Sequence, residues 1–292
     1  MFRTIRYVVS AFSVLMPAVA VAMDVLVLPS PQVATDARNE YKNAVLLRAL
    51  ELTRPEFGDF ELNLNGPKMK RLRALSAIRT GELINTYFSV ESPEWEENAI
   101  RIDVPIRRGI VNYRLLLVHR DNANVIGSAN SVQDLRRFTA GVQSDWSTKG
   151  FLERYGMPTV AGESYKGLFV MLAEKRFDYL LRGVHEVYQE LEHRADVHAS
   201  LVVAPDIALY MPLSTYTYVS PASPRIAERL TLGLNRMLQS GELNAMFRQY
   251  FQSALDKADL CQRRLLFFSE EDKQQHVNRS LAFIDPCEAQ SE

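Results

Sequence analysis

Residues 131–143 read SVQDLRRFTAGVQ. The segment predicts a short helix over Ser131–Phe138 and, directly after it, a buried strand over Thr139–Gln143, because the second part is a short run of small and apolar residues. A helix over Ser147–Tyr155 follows and is closed by a glycine, a common residue just past a helix C-terminus. Helix, strand and helix in such close succession are typical of an α/β sheet.

The alternation of strands and helices extends in both directions from this segment. Downstream, a helix over Tyr165–Lys175, a strand over Phe177–Leu181 and a helix over Val184–Glu192 continue it. The other predicted strands are Asp24–Leu28, Phe60–Leu64, Ile84–Val90, Ile100–Ile106, Tyr113–His119, Leu201–Ala204, Ala208–Tyr210 and Tyr216–Ser220. Two long helices are predicted near the end, over Pro224–Gln239 and Glu242–Ala254. The sequence therefore predicts the α/β class, with mostly parallel sheets.

The first 22 residues have the features of a cleaved signal peptide. Arg3 and Arg6 precede an apolar run over Tyr7–Ala22, which ends in small residues at alternate positions. We expect cleavage after Ala22, with Ala20 as the alternative. The run is shorter than the roughly 20 residues that span a bilayer, which disfavours an uncleaved membrane anchor. The sequence therefore predicts a secreted, periplasmic protein.

Removal of residues 1–22 takes away two cations and no anion, so that the formal net charge changes from −1 to −3. This balance does not favour a nucleic acid or an anionic membrane as a partner. The remaining 270 residues are enough for two domains at about 100–200 residues each.

The two cysteines of the chain, Cys261 and Cys287, lie near its C-terminus. Export removes the reducing environment, so we expect them to pair as a disulfide. Two unpaired thiols are the alternative. Their spacing fits neither a zinc site nor a CxxC redox pair.

Four segments resemble motifs of a known family when they are taken in order. They are Ser131–Leu135 with Ala140–Gln143, Tyr165–Tyr179, Tyr216–Leu238, and Gln239–Tyr250. Together they resemble the family-3 solute-binding proteins of the type II periplasmic binding protein fold, which include receptors for polar amino acids. Arg182-Gly183-Val184 followed by Glu186 resembles an uncharacterised subgroup whose strand ends in p-R-G-x-x-E, with Leu181 in place of the proline.

This resemblance implies two α/β lobes joined by two crossover strands, with a ligand held in the cleft between them. The first lobe would comprise residues 23–107 and 214–259, and the second would comprise residues 108–213. Residues 260–292 would form a tail held by the disulfide.

The resemblance also implies a change in the usual recognition of amino acids. An arginine of the first lobe normally grips the ligand carboxylate, but the matching stretch here begins at Ser92 and places Trp95 at that position. An aspartate of the second lobe normally holds the ligand ammonium, and Arg182 stands close to that position. We therefore expect a small polar or anionic ligand rather than an ordinary α-amino acid.

Candidate ligand-binding residues come from the ends of predicted strands. Arg182 would point its guanidinium into the cleft, and the helix that begins at Ser147 and Thr148 would offer backbone N–H groups to an anion. Trp146 and Trp95 would supply flat apolar faces. For each tryptophan the alternative is burial within a lobe.

For Arg182 the alternative is an internal ion pair with Glu186, one helical turn away. The chain has no Gly-rich phosphate loop, and His185, His193 and His198 are not at the spacing of metal ligands. We therefore expect neither a cofactor nor a metal, and no enzyme activity.

The sequence leaves three functions open. The first is a monomeric binding protein that delivers its small-molecule ligand to a membrane transporter or a membrane sensor. The second is a ligand-free or sensory interaction module on the same fold. The third is an enzyme that borrowed the fold, with Glu163 or Glu186 as its acid or base.

Overall fold

The computed structural model describes residues 23–31, 37–193 and 199–287. The expected signal peptide and His198 lie outside these residues. The strands are β1 Asp24–Pro29, β2 Phe60–Gly66, β3 Thr86–Val90, β4 Ile100–Ile102, β5 Tyr113–His119, β6 Ala140–Gln143, β7 Thr159–Gly162, β8 Tyr179–Gly183, β9 Leu201–Val203, β10 Ile207–Tyr210, β11 Thr215–Val219 and β12 Arg264–Phe267. The helices are α1 Ala37–Glu51, α2 Arg54–Phe57, α3 Arg71–Thr80, α4 Pro93–Asn98, α5 Ala123–Gly127, α6 Val132–Leu135, α7 Ser147–Arg154, α8 Tyr165–Ala173, α9 Val184–Glu192, α10 Pro224–Gln239, α11 Glu242–Ala258 and α12 Glu270–Val277.

Five strands form a first group, made of two small sheets side by side. β1 pairs with β2 in parallel, and β11 pairs with β3 and β4 in antiparallel register. Asn85 joins the two sheets: its backbone N–H donates to the Val27 carbonyl at 3.1 Å, and its side-chain oxygen accepts from the Val27 N–H at 2.8 Å. The two sheets therefore continue one another.

The other strands form the large sheet, in the order β12-β10-β5-β8-β6-β7, with β9 also paired to β5. β6 runs parallel to β7 and β8, and β10 runs parallel to β12. β5 is antiparallel to its neighbours β8, β9 and β10. The α/β class is confirmed, but the prediction of mostly parallel sheets is not met. Among the described residues, five of the nine strand pairings are antiparallel, and all five involve β5 or β11, the strands next to the crossovers.

The chain passes between the two groups of strands three times. It leaves the first group after β4 and returns with β11, in the order that the predicted lobes require. The boundaries at residues 107/108 and 213/214 stay a prediction. After α11 the chain crosses once more and adds β12 to the edge of the large sheet, so residues 260–287 belong to the folded body.

Two short strands are additions to the predicted pattern. β7 has only four residues, too few for an alternation of apolar and polar residues to indicate it. β12 lies in the segment that its charge marked as a tail, although Arg264–Phe267 ends in three apolar residues. The expected disulfide between Cys261 and Cys287 is present, with Cα atoms 5.2 Å apart.

Helix α11 holds the two groups of strands together. It packs against α1 and α10 of the first group and against α9 of the large sheet. Its Phe247 and Phe251 lie edge-on to Tyr41 of α1, and Phe251 also contacts the ring of His185 on α9. One continuous hydrophobic core therefore includes residues of both groups.

Close packing of α10 on α1 depends on a glycine. A Cβ at Gly233 would lie 2.3 Å from the Ala49 carbonyl oxygen, so a larger residue would push the two helices apart. Among the described residues, no helix combines the length and the apolarity that a membrane span requires.

Candidate functional site

The carboxyl ends of β1, β2, β6 and β8 face one another between the two groups of strands. The residue before α3, Lys70, lies 3.8 Å from Asp145, which follows β6. Both side chains are exposed, so the pair adds little to stability. The pair is informative about geometry, because it shows that the segment after β2 and the segment after β6 lie next to each other. We call the space between them the cleft.

A pocket lies at the carboxyl end of β1, in the first group of strands. It has a volume of about 210 Å³ and is lined by backbone and side chains from β1, α1, β3, the first crossover and β11. The lining residues are Leu28, Pro29, Ser30, Pro31, Asn39, Lys42, Met69, Tyr87, Phe88, Arg107 and Thr215. Two of these residues, Lys42 and Arg107, are cations, and the described lining contains no acid.

One cation of this pocket, Lys42, lies against an aromatic ring of the pocket wall. The Lys42 ammonium lies 5.1 Å from the centre of the Phe88 ring and donates to the Asn39 side chain at 3.2 Å. The partly buried hydroxyl-bearing ring of Tyr87 forms the adjoining part of the wall, and burial raises the pKa of this tyrosine above its ordinary value. Tyr87 is therefore neutral and able to donate a hydrogen bond at physiological pH.

Trp95 is fully buried, which agrees with the alternative prediction of burial within a lobe. Its ring stacks on Tyr87 at 5.1 Å with an angle of 9° between the planes, and it lies 5.1 Å from Tyr218. Because it packs behind Tyr87, it presents no face to the cleft. Trp95 therefore packs behind the pocket wall, inside the first group.

Ser92 is the N-cap of α4, and its hydroxyl accepts a hydrogen bond from Arg71 at 2.9 Å. The same guanidinium donates to Ser89 of β3 at 3.1 Å. Arg71 is half-buried and begins α3, two residues after the pocket-lining Met69. The first group thus does hold an arginine near the carboxyl end of β3, at a different place in the sequence from the one expected.

On the opposite side of the cleft, Arg182 of β8 is buried and paired with carboxylates. Its guanidinium donates to Glu190 at 2.7 Å and lies 3.1 Å from Glu186. Burial by itself would lower the pKa of Arg182, but the two glutamates raise it above its ordinary value. The predicted alternative of an ion pair with Glu186 is present, and Glu190 is a second partner that the sequence pattern did not indicate.

Two aromatic rings complete the surroundings of Arg182. Its guanidinium carbon lies 4.9 Å from the centre of the Trp146 ring and 5.4 Å from that of Tyr165. The Tyr165 hydroxyl donates to Glu190. Trp146 thus forms the expected aromatic face, but the group that it stacks on is the protein's own arginine.

Glu186 contacts several buried groups. Its carboxylate accepts from the backbone N–H of Gly183 at 2.8 Å, which caps the first turn of α9, and it lies 3.7 Å from the Arg114 guanidinium. Burial lowers the pKa of Arg114, and Glu186 partly opposes this. Glu186 therefore lies among cationic side chains and a backbone hydrogen-bond donor.

Ser147 and Thr148 lie in the first turn of α7, as expected, with Ser147 half-buried and Thr148 buried. The structure brings Trp146, Ser147 and Thr148 together with Arg182 at the carboxyl ends of β6 and β8. It does not bring Ser92 or Trp95 to the same surface. The ligand-binding role assigned to these residues stays a prediction.

Lys42, Arg71 and Arg107 are candidate residues that the sequence pattern did not single out. Lys42 follows Tyr41 on a helix whose apolar face is its main signal. Arg107 interrupts the pattern of strands between the two lobes, and that interruption was the available signal. Within residues 23–31, 37–193 and 199–287, no group of three or more His, Cys, Asp and Glu side chains is arranged to hold a metal.

No protein-family model and no curated protein matches the chain. Solved structures do match it. An ancestral arginine-binding protein bound to glutamine aligns with a TM-score of 0.50 at 14% identity, over 72% of this chain and 86% of that one. An ancestral arginine-binding protein bound to arginine gives a TM-score of 0.50 at 15% identity, over 72% and 87%.

A periplasmic binding protein of Salmonella typhimurium, described for its high arginine specificity, aligns at 15% identity over 78% of this chain and 97% of that one, with a TM-score of 0.49. At such identities the likeness concerns the fold. The chain has the α/β fold of the type II periplasmic binding proteins over most of its length.

Proposed function

We propose that this protein is a periplasmic solute-binding protein whose cleft takes a small organic anion, and that it serves a membrane transporter or a membrane sensor. The observation that carries the proposal is the pocket of about 210 Å³ at the carboxyl end of β1, with Lys42 and Arg107 in its lining. In α/β folds, ligands bind in the crevice beyond the carboxyl ends of the strands.

The charges around the cleft favour an anion over an α-amino acid. An α-amino acid needs a carboxylate of the protein to face its ammonium group. The described lining of the pocket has no acid, and across the cleft Glu186 and Glu190 are already bound to Arg182. A carboxylate or phosphoryl group would instead find Lys42 and Arg107, with the flat Tyr87 and Phe88 rings beside them.

The ligand-free interaction module is the second candidate, and one observation favours it. The hydrophobic core continues from one group of strands to the other through α11, which restricts the hinge motion that a binding protein uses to close. A rigid body with a vestigial cleft would also have such a core. The two functions differ in whether a small molecule binds.

Native mass spectrometry of protein purified without refolding tests the proposal directly. We expect one small anion per chain, and we expect organic mono- and dicarboxylates and phosphate esters to be the compounds that raise the melting temperature. A ligand at 100 times its dissociation constant stabilises the folded state by about 2.7 kcal/mol. The double variant Lys42→Gln/Arg107→Gln should lose both signals, and Arg79→Gln, an exposed arginine on α3, should keep them.

The opposite result is equally clear. If no small molecule co-purifies, and if the panel shifts the melting temperature of the wild type no more than that of the double variant, the cleft is not a ligand site. Capture of a membrane protein by both forms alike would then support the interaction module.

A further inference from the structure

A further cavity lies outside the cleft, between α12 and the segment that leads from β10 to β11. Its volume is about 540 Å³, within the range of about 300–1,000 Å³ that is usual for small-molecule sites. Tyr210 at the end of β10 and Tyr216 in β11 belong to its lining, and Phe283 contributes a third ring. The cavity therefore touches the large sheet, the first group of strands and the C-terminal segment. We call it the α12 cavity.

The side of α12 that lines this cavity is polar. It consists of Glu271, Gln274, Gln275 and Asn278, the last of which directly follows the helix. These positions are i, i+3, i+4 and i+7, so they share one helical face. All four side chains are exposed, and three of them are amides. The α12 cavity is therefore open to water, with amide groups on one side and aromatic rings on the other.

The charges around the α12 cavity are balanced. The described lining has two charged residues, Glu271 and Arg279, one of each sign, and Arg279 forms an ion pair with Asp285. A further guanidinium, that of Arg101, lies 4.8 Å from the centre of the Tyr216 ring. An ion that leaves water needs a counter-charge to offset the loss of hydration, and neither sign predominates in this lining. The cavity therefore favours an uncharged ligand.

The polar groups of the lining can both donate and accept hydrogen bonds. A primary amide has two N–H donors and an acceptor oxygen, and the bond from Gln274 to Glu270 at 3.2 Å uses one of these donors. Burial raises the pKa of Tyr216 to about 12, and it raises the pKa of Tyr210 above its ordinary value. Both phenols are therefore neutral hydroxyl groups at physiological pH. Such a lining matches a ligand with several hydroxyl groups, because a hydroxyl also donates and accepts at once.

We propose that the α12 cavity binds a small neutral sugar. The amides of α12 form hydrogen bonds with its hydroxyl groups, and the aromatic rings of the lining cover its apolar C–H surface. The bound sugar contacts both groups of strands and α12 together. This proposal does not rest on ligand binding in the cleft, since the α12 cavity and the cleft pocket have no lining residue in common.

Saturation-transfer NMR of the protein with D-glucose, D-galactose and maltose tests this assignment. Sugars at high concentration stabilise proteins by exclusion from the surface, so binding is measured directly and not as a change in melting temperature. Glucosamine and glucose 6-phosphate serve as a cationic and an anionic analogue. We expect at least one of the three neutral sugars to receive saturation, and we expect neither charged analogue to bind more tightly than the best neutral sugar.

The double variant Gln274→Ala/Asn278→Ala removes two amides of the cavity at exposed positions. It should weaken binding of the sugar about tenfold, the effect of losing two neutral hydrogen bonds. Asn130→Ala/Gln133→Ala is the matched control, because it removes the same two residue types from exposed positions at the start of α6. The control variant should bind as the wild type does.

The proposal fails if none of the three neutral sugars receives saturation, or if the cavity variant and the control variant bind equally well. Tighter binding of glucosamine or of glucose 6-phosphate would overturn it too, because the site would then select a charge. Loss of the signal in Lys42→Gln would also overturn it, since the sugar would then lie in the cleft pocket.

Discussion

Arg182 and Glu190 form a buried ion pair across the start of α9, with the guanidinium Nε 2.7 Å from a carboxylate oxygen and a second hydrogen bond beside it. Their side chains are only 6% and 11% exposed. Arg182 stands near the position where the resemblance implies a ligand-binding acid, and its charge is neutralised from within the same chain. The guanidinium of Arg182 is therefore bound by the protein's own carboxylates.

Removal of Glu190 should destabilise the protein strongly. We expect Glu190→Ala to lower the free energy of unfolding by about 3 kcal/mol, because the Arg182 guanidinium would stay buried with only Glu186 close to it. The double variant Arg182→Met/Glu190→Met should recover much of that loss, since it leaves no unpaired charge. Urea denaturation of the wild type, the single variant and the double variant measures these changes. Glu192→Ala, at an exposed ion pair with Lys257, is the control and should change stability by less than about 1 kcal/mol.

The sequence could predict Arg182 at the end of a strand but not its main partner. A helix places residues three and four apart on one face, so Glu186 was the expected partner, whereas Glu190 lies eight residues away, two turns along α9. It reaches Arg182 because β8 leads directly into α9 and brings the whole face of that helix over the strand end. Tertiary contacts of this kind do not leave a short-range pattern.

Trp95 illustrates the same limit on the other side of the cleft. Its place in the motif comparison suggested a ligand contact, but its surroundings are set by Tyr87 and by Tyr218, which is far away in sequence. The strands and helices that were predicted along the chain were predictable because their apolar spacing is local. The lining of the pocket was not, because α1, β3, β11 and a crossover contribute to it together.

Arg229 should be the most costly cation of the first group to replace. It is fully buried, donates to Asp24 at 2.8 Å and to the Gly58 carbonyl at 2.7 Å, and has three further acceptors in Thr53, Leu50 and Asp59. A lysine has three donors on one nitrogen and cannot serve five acceptors in this geometry.

We expect Arg229→Lys to lower the free energy of unfolding by about 3 kcal/mol, as for the loss of a partner from a buried pair. Arg225→Lys is the matched control, because Arg225 also donates to Asp24 but is 42% exposed. It should cost about 1 kcal/mol or less. Guanidinium chloride denaturation measures both variants. Equal losses of unfolding free energy in the two would show that burial of the guanidinium does not determine the cost of the substitution.

The disulfide should stabilise the C-terminal segment over residues 260–287, which we call the strap, more than the rest of the molecule. Cys261 and Cys287 are separated by 26 positions, for which the loop-entropy relation gives about 3–4 kcal/mol. We expect Cys261→Ser/Cys287→Ser to increase hydrogen exchange first in residues 278–287, with α10 unaffected under native conditions. Exchange that rises uniformly over the chain would mean that the strap unfolds only together with the whole protein.

Gly109 should tolerate alanine less well than another glycine with a similar backbone. Gly109 and Gly156 both have positive φ, +73° and +65°, so alanine at either costs about 1 kcal/mol for the conformation. A Cβ at Gly109 would also lie 2.4 Å from the Phe283 ring, whereas one at Gly156 would have nothing within 4 Å.

We therefore expect Gly109→Ala to lose about 1–3 kcal/mol more than Gly156→Ala, the usual range for overpacking. Adding Phe283→Ala to Gly109→Ala should remove that extra loss, and urea denaturation of the four proteins completes the cycle. If Phe283→Ala brings no recovery, the strap does not press on the crossover at this point.

His276 should make the strap sensitive to mild acid. Burial lowers the pKa of His276, and Arg279 lowers it further while Asp285 acts in the opposite direction. Its Nδ1 lies 3.2 Å from the Tyr113 hydroxyl, and its ring packs on Tyr210 at 5.1 Å. The folded state therefore binds fewer protons at His276 than the unfolded state does. Its contribution to stability is full above the ordinary pKa of about 6.5 and is lost as the pH falls through the lowered value.

We expect the melting temperature of the wild type to fall between pH 7.5 and pH 5.5, and we expect His276→Gln to show a smaller fall, because glutamine takes up no proton in this range. His193→Gln is the control, since His193 is exposed at the end of α9. The protection factors of residues 278–285, which correct for the intrinsic slowing of amide exchange at lower pH, should fall at pH 5.5 in the wild type only. A fall of the same size in His276→Gln would assign the acid sensitivity to groups elsewhere in the fold.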